Sequence, residues 1–214
     1  MDLDAIRSKV KEYIGDSGYD DDDMDEIINR HYRDNLPLEF DLDSLHTTYS
    51  QTLSAQDEDY DVDQDSYLWV RGPAYIDDLE SDTLARISFT KDKQGFRSRY
   101  PELADSGAAT DYDGLPAEVL YHKGTLYFGP IPNDAYKTYF EAYAKPTALS
   151  ADDDEPVESA WGPILACDTA LEILITRNDE ENAQGISQAR KYFASLIESK
   201  EIVNMVDVRA PGSF

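Results

Sequence analysis

Apolar residues near the start of the chain recur at steps of three and four, which is the spacing of one helical face. The first stripe predicts a helix near residues 3–14, with Asp2 and Asp4 at its start. The second predicts a helix near residues 24–32, preceded by the four acids 20–23. Consecutive acids also suit a metal site, but they favour a helix start because carboxylates interact well with the N-terminal dipole.

The period then changes to two, which predicts half-buried strands. Residues 36–42 alternate between apolar and polar side chains, and so do residues 45–53. A polar turn follows, and residues 60–62 are expected to return as the second arm of a hairpin. Residues 67–70 predict a further short strand that ends at Gly72-Pro73.

Residues 84–101 hold the highest density of positive charge in the chain. The pattern predicts a strand that ends near Phe89 and then a helical turn presenting Phe96 and Tyr100, with a loop over residues 102–115. Basic residues interleaved with aromatic ones are typical of nucleic-acid binding. In so acidic a chain, ion pairs with neighbouring carboxylates, also across subunits, are the favoured interpretation. The basic residues are Arg86, Lys91, Lys93, Arg97 and Arg99.

Two further hairpins are predicted before the last third of the chain. Residues 117–121 and 125–128 form the first, with Gly124 in the turn. Residues 129–134 connect to a returning strand over residues 136–144, where the tyrosines are expected to serve cross-strand packing.

The last third reads as two helices. Residues 161–175 are apolar on several sides, as expected for a buried helix, and the acids 152–155 with Pro156 precede it. After a break at residues 177–181, residues 186–197 predict a final helix.

The chain ends in an apolar segment followed by Pro-Gly and a terminal Phe. Such a segment has no evident place in its own core. Docking on another chain and fraying both account for it, and docking is favoured. The residues predicted to dock are Ile202, Val203, Met205, Val206, Val208 and Phe214.

The net charge narrows the class of protein. Among 214 residues, 19 Lys and Arg face 45 Asp and Glu, which gives −26 at pH 7. This charge argues against tight sequence-specific binding of nucleic acid. It is compatible with adaptation to high salt and with a surface that repels a passing polyanion. No run of 18 apolar residues and no signal-like N-terminus are present, so we expect neither a membrane span nor export.

Few residues suit catalysis or a metal. The single cysteine, Cys167, lies in an apolar helical pattern and is expected to be a buried thiol. The three histidines have no metal-binding spacing. The alternating acids of residues 57–65 fail both EF-hand registers, so solvated loop charge is favoured, and loose calcium binding stays open. We therefore expect no cofactor, no metal site and no enzymatic activity.

Several phrases resemble the head-to-tail adaptor (tail connector) proteins of tailed phages, chiefly short-tailed ones. The resemblance covers residues 4–199, and the acidic segments 57–65 and 102–114 depart from it. Its most specific run is TLYFGPIP at residues 125–132. The supporting phrases are INRHYR at 28–33, the strand 44–53 followed by YDV at 60–62, FRSRYP at 96–101, KPTAL at 145–149 and DDEP at 153–156.

The resemblance implies a virion protein of the neck, assembled in the host cytoplasm. It implies a ring, usually of twelve copies, docked beneath the portal protein and joined to the tail nozzle or other tail proteins. Genomic DNA would pass through the lumen without specific binding, no membrane would be involved, and the six C-terminal docking residues would reach the portal.

The resemblance also implies a fold of the α+β class. A four-helix bundle, built from the N- and C-terminal helix pairs (residues 1–35 and 156–200), would carry an inserted antiparallel β-domain of hairpins (residues 36–150). Residues 201–214 would form an extended C-terminal tail. The alternatives are an acidic, salt-adapted soluble enzyme or ligand-binding module, and another tail component.

Overall fold

Two units make up the computed structural model, which describes residues 1–78, 83–101 and 113–207. Residues 1–41 and the residues from 146 onward form the first, here called the helical unit. Residues 42–145 form the second, here called the sheet unit. Most of the loop expected over residues 102–115 lies outside the described residues.

The helical unit begins with two capped helices, as the sequence predicts. Helix α1 (Leu3–Ile14) is capped by Asp2 and ends at Gly15, whose φ of 65° favours glycine. Helix α2 (Asp21–Arg30) is capped by Asp20, whose carboxylate accepts from the backbone N–H groups of the next turn. The acids 20–23 therefore mark a helix start.

The strand predicted for residues 36–42 is wrong. A π-helical turn (His31–Asn35) continues α2 into the short helix α3 (Leu36–Glu39). Leu36 and Phe40 are buried, and the Phe40 N–H donates to the Leu36 carbonyl, 2.8 Å away. A spacing of four residues satisfies both the helical period and the period of two, so a run this short does not distinguish them.

Helix α5 (Trp161–Thr176) is buried on most of its circumference, and α6 (Glu180–Asp207) packs against it. Trp161 is fully buried against the rings of Tyr32 and Phe40, with centroids 6.0 and 6.5 Å away. Residues 201–207, the first half of the segment expected as an extended tail, continue α6.

The acids 152–155 do not cap α5, which begins after Ala160. The carbonyls of Asp152 and Asp154 instead accept from the N–H groups of Asp4 and Leu3, at 3.1 and 2.9 Å. These bonds satisfy donors that the first turn of α1 leaves without intrahelical partners.

The sheet unit contains nine strands among the described residues and the short helix α4 (Lys93–Arg99). The seven-stranded sheet has the order β1-β9-β3-β4-β6-β7-β2, with a parallel pair β4–β6, and β5 and β8 form a separate parallel pair. The strands are β1 His46–Leu53, β2 Asp59–Asp61, β3 Tyr67–Asp78, β4 Thr83–Thr90, β5 Asp113–Gly114, β6 Glu118–His122, β7 Thr125–Gly129, β8 Ile131–Pro132 and β9 Tyr136–Ala144.

The sheet is curled around a single apolar cluster. Leu53 from one end of the strand order and Leu126 and Phe128 from near the other end belong to the same buried group. Phe140 of β9 lies within it, with ring centroids 6.3 Å from Phe89 and 6.4 Å from Phe128.

The α+β class is therefore correct, but the four-helix bundle with an inserted antiparallel β-domain of hairpins is wrong. The helices α1, α2 and α6 each contact α5, and the strands form one large curled sheet with parallel pairs. Strand β9 lies between β1 and β3, and β2 pairs with β7, so neither β1–β2 nor β7–β9 is a hairpin. Local alternation identifies which face of a strand is buried, but it does not identify the neighbouring strand.

The hairpin β6–β7 is confirmed. Its two-residue turn consists of Lys123 and Gly124, with φ of 53° and 87°. Strand β3 does not end at Gly72-Pro73, because a register shift between Arg71 and Ala74 accommodates the proline within the strand.

Candidate interaction surfaces

Positive charges of the helical unit are held in ion pairs with its own acids. The guanidinium of Arg190 on α6 lies between Asp168, at 3.0 Å, and Glu39, with which it forms two bonds. Arg7 on α1 likewise contacts Asp25 and Asp152. In both cases hydrogen bonds from the arginine to these carboxylates raise the pKa of the arginine further.

Helix α6 leaves large apolar side chains exposed. Tyr192 is 61 % exposed and Leu196 is 43 % exposed, and they lie four residues apart on one helical face. The opposite positions Ala194 and Ile197 are buried. This exposed pair is suited to contact with another chain.

The residues predicted to dock fall at the end of the same helix. Ile202, Val203, Met205 and Val206 lie within α6, while Val208 and Phe214 lie outside the described residues. In the sequence, Val203 follows Leu196 by seven residues, the spacing of two helical turns.

The sheet unit carries a group of basic residues, here called the cationic patch: Lys93 and Arg97 of α4, His122 at the end of β6, and Lys123 of the β6–β7 turn. Lys93 and Arg97 line a groove of about 450 Å³ together with Gln94 and Ser98. Partial loss of hydration lowers the pKa of His122, and so do the charges of Lys93, Lys123 and Arg97. Within the described residues, these three cations form no ion pair.

Helix α4 is fixed in place by packing and by its cap. Phe96 is buried, with its ring 5.0 Å from that of Tyr100. A Cβ at Gly129 would lie 2.5 Å from the Tyr100 ring, so a glycine is needed there. Asp92 caps the helix by accepting from the Gly95 N–H at 3.0 Å. The patch therefore stands on an anchored element.

A groove of about 640 Å³ lies on the outer face of the sheet. Tyr75 and Tyr139 are paired across β3 and β9 within it, and the nearby Glu141 is ion-paired with Arg71 at 3.0 Å. Its lining offers flat apolar area with hydroxyl groups, which suits contact with a protein surface. The lining residues are Thr47, Thr48, Pro73, Tyr75, Asp77, Leu84, Tyr139, Phe140 and Glu141.

The structure shows the surroundings of the single cysteine and of the acids in residues 57–65, which the sequence analysis considered as reactive or metal-binding groups. Cys167 is fully buried, and burial raises the pKa of its thiol to about 11. Asp61 and Asp63 accept hydrogen bonds from Thr125 and Ser66, at 2.8 Å and 2.5 Å. Across residues 1–78, 83–101 and 113–207, no group of three or more His, Cys, Asp or Glu side chains is arranged to hold a metal ion.

Sequence reasoning identified the basic stretch 86–99 but missed the contribution of His122 and Lys123. The available signal was the hairpin with its turn at Gly124, which the sequence predicts and the structure confirms with His122 paired to Thr125. Which helix lies beside that turn is a matter of tertiary packing, and no local pattern encodes it.

Comparison with known proteins identifies the family. A family model described as SU10 adaptor protein matches residues 1–210, which is nearly the whole chain. No curated protein matches the chain. No helix in the described part of the chain has both the length and the apolar character that a bilayer crossing requires. The resemblance to phage head-to-tail adaptors is thereby confirmed, and the chain belongs to the SU10 adaptor protein family, as a structural phage protein of the neck region.

Proposed function

We propose that this protein forms a head-to-tail adaptor ring that docks beneath the portal, connects it to the tail and lines part of the DNA passage. The family match over residues 1–210 carries this proposal. The acidic charge supports the proposed DNA passage, and the apolar C-terminal residues support the proposed docking on the portal. Twelve is the copy number that we propose for the ring.

The passage for DNA is supported by the surplus of carboxylates. With 45 acids against 19 Lys and Arg, the chain offers few cationic side chains that could neutralise a DNA phosphate and release its counterions. A lumen lined by such copies lets a polyanion move without adhesion, because the local potential repels it.

Portal docking is assigned to Ile202, Val203, Met205, Val206, Val208 and Phe214. The last buried side chain described on α6 is that of Ile197, which precedes all of them. A deletion of residues 202–214 therefore removes no described core residue.

Deletion of residues 202–214 tests the docking assignment. We expect the truncated chain to lose binding to the cognate portal particles while its circular dichroism spectrum keeps its helical content. The matched control is Ile175→Ala, which removes an exposed apolar side chain from α5 but leaves the C-terminal segment intact. Continued portal binding by the truncated chain would overturn the assignment.

Electron microscopy of portal particles incubated with the full chain tests the ring. A closed ring of twelve copies around a channel is expected, coaxial with the portal. Binding of single copies at scattered positions on the particle would contradict the proposed ring, whatever the outcome of the deletion.

A further inference from the structure

The cationic patch stands out because the rest of the chain is strongly acidic. Arg99, on the same helix as Lys93 and Arg97, lies 2.6 Å from Glu118. Lys93, Arg97 and Lys123 have no such carboxylate within the described residues, and Arg97 and Lys123 are exposed. Positive charge is thus concentrated at one place on the sheet unit, with no counterion among the residues that the structure describes there.

The backbone at Lys123 adds an independent observation. Its φ of 53° lies in the left-handed region, where a side chain other than that of Gly, Asn or Asp is disfavoured. Two-residue turns of this kind strongly prefer Asn-Gly or Asp-Gly. A lysine in this conformation has a conformational cost. That cost suggests that the charge of Lys123 has a role outside the turn.

The groove beside Lys93 and Arg97 defines the chemistry of the occupant. Two cationic side chains flank it, and the amide of Gln94 can also donate hydrogen bonds, whereas the Ser98 hydroxyl donates to the Gln94 carbonyl at 2.9 Å. Such a surface accepts carboxylates. Even with Lys123, the patch has only three permanent cations, which are few for a duplex whose binding needs many phosphate contacts, and the net charge of −26 repels DNA.

A second copy of the chain presents carboxylates in abundance. In a ring, each copy offers one surface to one neighbour and a different surface to the next. A positive surface that meets a negative one offsets the mutual repulsion of such acidic copies and fixes their orientation. Within the sheet unit, Asp57, Glu58 and Asp59 are consecutive acids whose carboxylates have no described cationic partner.

We infer that the cationic patch is one half of a contact between copies of this chain, and that carboxylates of the adjacent copy occupy it. The inference rests on the proposed ring, since it names the surface by which neighbouring copies bind. The strip Asp57–Glu58–Asp59 is the complementary half that we would test first.

Charge reversal tests the contact on the full chain. In sedimentation velocity at about 0.15 M salt, where exposed charges are screened beyond about 8 Å, we expect Lys93→Glu with Arg97→Glu to weaken self-association about tenfold or more. The matched control, Arg86→Glu with Lys137→Glu, changes the net charge equally on the outer face of the sheet and should shift it less than about twofold. Equal shifts for both double variants would overturn the inference.

Cross-linking identifies the occupant. A mixture of ¹⁵N-labelled and unlabelled chains, free and bound to the portal, is treated with a carbodiimide that joins lysines to carboxylates. Links from Lys93 or Lys123 to Asp57, Glu58, Asp59 or another acid of the differently labelled chain support the inference. Links confined to one chain, for example to Glu102 or Asp105, or no link in either sample, would overturn it.

Two further measurements separate the alternatives. A 20-base-pair DNA duplex is the nucleic-acid probe; binding that is lost in the Lys93→Glu, Arg97→Glu variant would assign the patch to DNA and overturn the inference. Ring formation is judged independently by electron microscopy. If rings form equally well with the patch reversed, the inference fails while the proposed ring stands; if the wild-type chain forms no ring on the portal, the proposed ring fails.

Discussion

The arginines of the helical unit and the cationic patch of the sheet unit differ in how their positive charge is neutralised. In the helical unit, Arg7, Arg30, Arg177 and Arg190 each contact a carboxylate from another part of the same unit. In the sheet unit, Arg71 and Arg99 are paired in the same way with Glu141 and Glu118, but Lys93, Arg97 and Lys123 of the patch have no carboxylate partner among the described residues. Charge in the helical unit thus connects its own elements, whereas no described carboxylate neutralises the charge of the patch.

This difference predicts that paired arginines contribute to folding stability and that the cations of the patch contribute to assembly. An arginine between two acids is expected to matter for folding, because its loss leaves a partly buried carboxylate without a counterion. An exposed lysine without a partner is expected to matter little for folding. Substitutions in the two units therefore give a direct test of the comparison.

The largest effect is expected from Arg190→Ala. The partner Asp168 is only 13 % exposed, so it would keep a poorly hydrated charge without a counterion. Loss of the Arg190 guanidinium should therefore lower the free energy of unfolding by about 2–3 kcal/mol in urea titrations. Arg190→Met keeps most of the aliphatic volume and should be destabilised to a similar extent. Arg177→Ala, whose ion pair with Asp16 is well exposed, should lose about 0.5 kcal/mol or less. Equal losses at Arg190 and Arg177 would contradict the comparison.

The next largest effect is expected at a pair of glycines, one in each unit. Gly129→Ala places a methyl group 2.5 Å from Tyr100 and should destabilise the sheet unit by about 2 kcal/mol. A methyl group at Gly185 on α6 would meet nothing within 4 Å, so Gly185→Ala should add up to about 1 kcal/mol of stability through helix propensity. Thermal unfolding followed by circular dichroism checks both signs. A neutral Gly129→Ala would show that the packing of Tyr100 does not fix α4.

Lys123→Asn is expected to separate folding from association. Asparagine tolerates the left-handed turn better than lysine, so the variant should gain about 0.5–1 kcal/mol in unfolding free energy. It also removes a charge from the patch, and self-association should weaken. Lys123→Arg keeps the charge and serves as the control for association. Loss of stability in the asparagine variant would show that the lysine stabilises its own turn.

The long helices α1, α2 and α5 could be predicted from the sequence, whereas the short helix α3 and the neighbours of the strands could not. The stripe that begins at Leu3 and the apolar run from Trp161 each place a helix correctly, because a helix satisfies its hydrogen bonds within one segment. Strand β9 bonds to β1 and β3, which lie far from it in the sequence. Alternation along residues 136–144 fixes its buried face and leaves both partners undetermined.

The candidate surfaces show the same division. The apolar C-terminal residues and the basic stretch from Arg86 to Arg99 are visible as composition. Strand β6, which ends next to Lys123, contacts α4, and this tertiary contact cannot be read from the sequence, so the complete patch required the fold. The exposure of Tyr192 and Leu196 likewise depends on which face of α6 packs against α5.

The smallest effects are expected from single carboxylates and should differ in sign between the two units. In the helical unit, the backbone N–H groups of Ala151 and Ser150 lower the pKa of Asp154. Its stabilising contribution is present above the unfolded pKa of about 3.8 and is lost as the pH falls through the lower folded value. Asp154→Asn should therefore flatten the acid limb of the stability curve.

In the sheet unit, burial and then the charge of Asp59 raise the pKa of Glu58. A raised pKa means that the folded state binds the proton more tightly, so the contribution of Glu58 is favourable below its unfolded pKa and is lost as the pH rises through the folded value. Glu58→Gln should therefore be slightly more stable than the wild type at pH 7, and the difference should vanish below about pH 4. Urea titrations at a series of pH values measure both variants. If a neighbouring copy supplies cations to this strip, the gain at pH 7 should disappear in the assembled protein, because the carboxylate of Glu58 then has a counterion that glutamine cannot use.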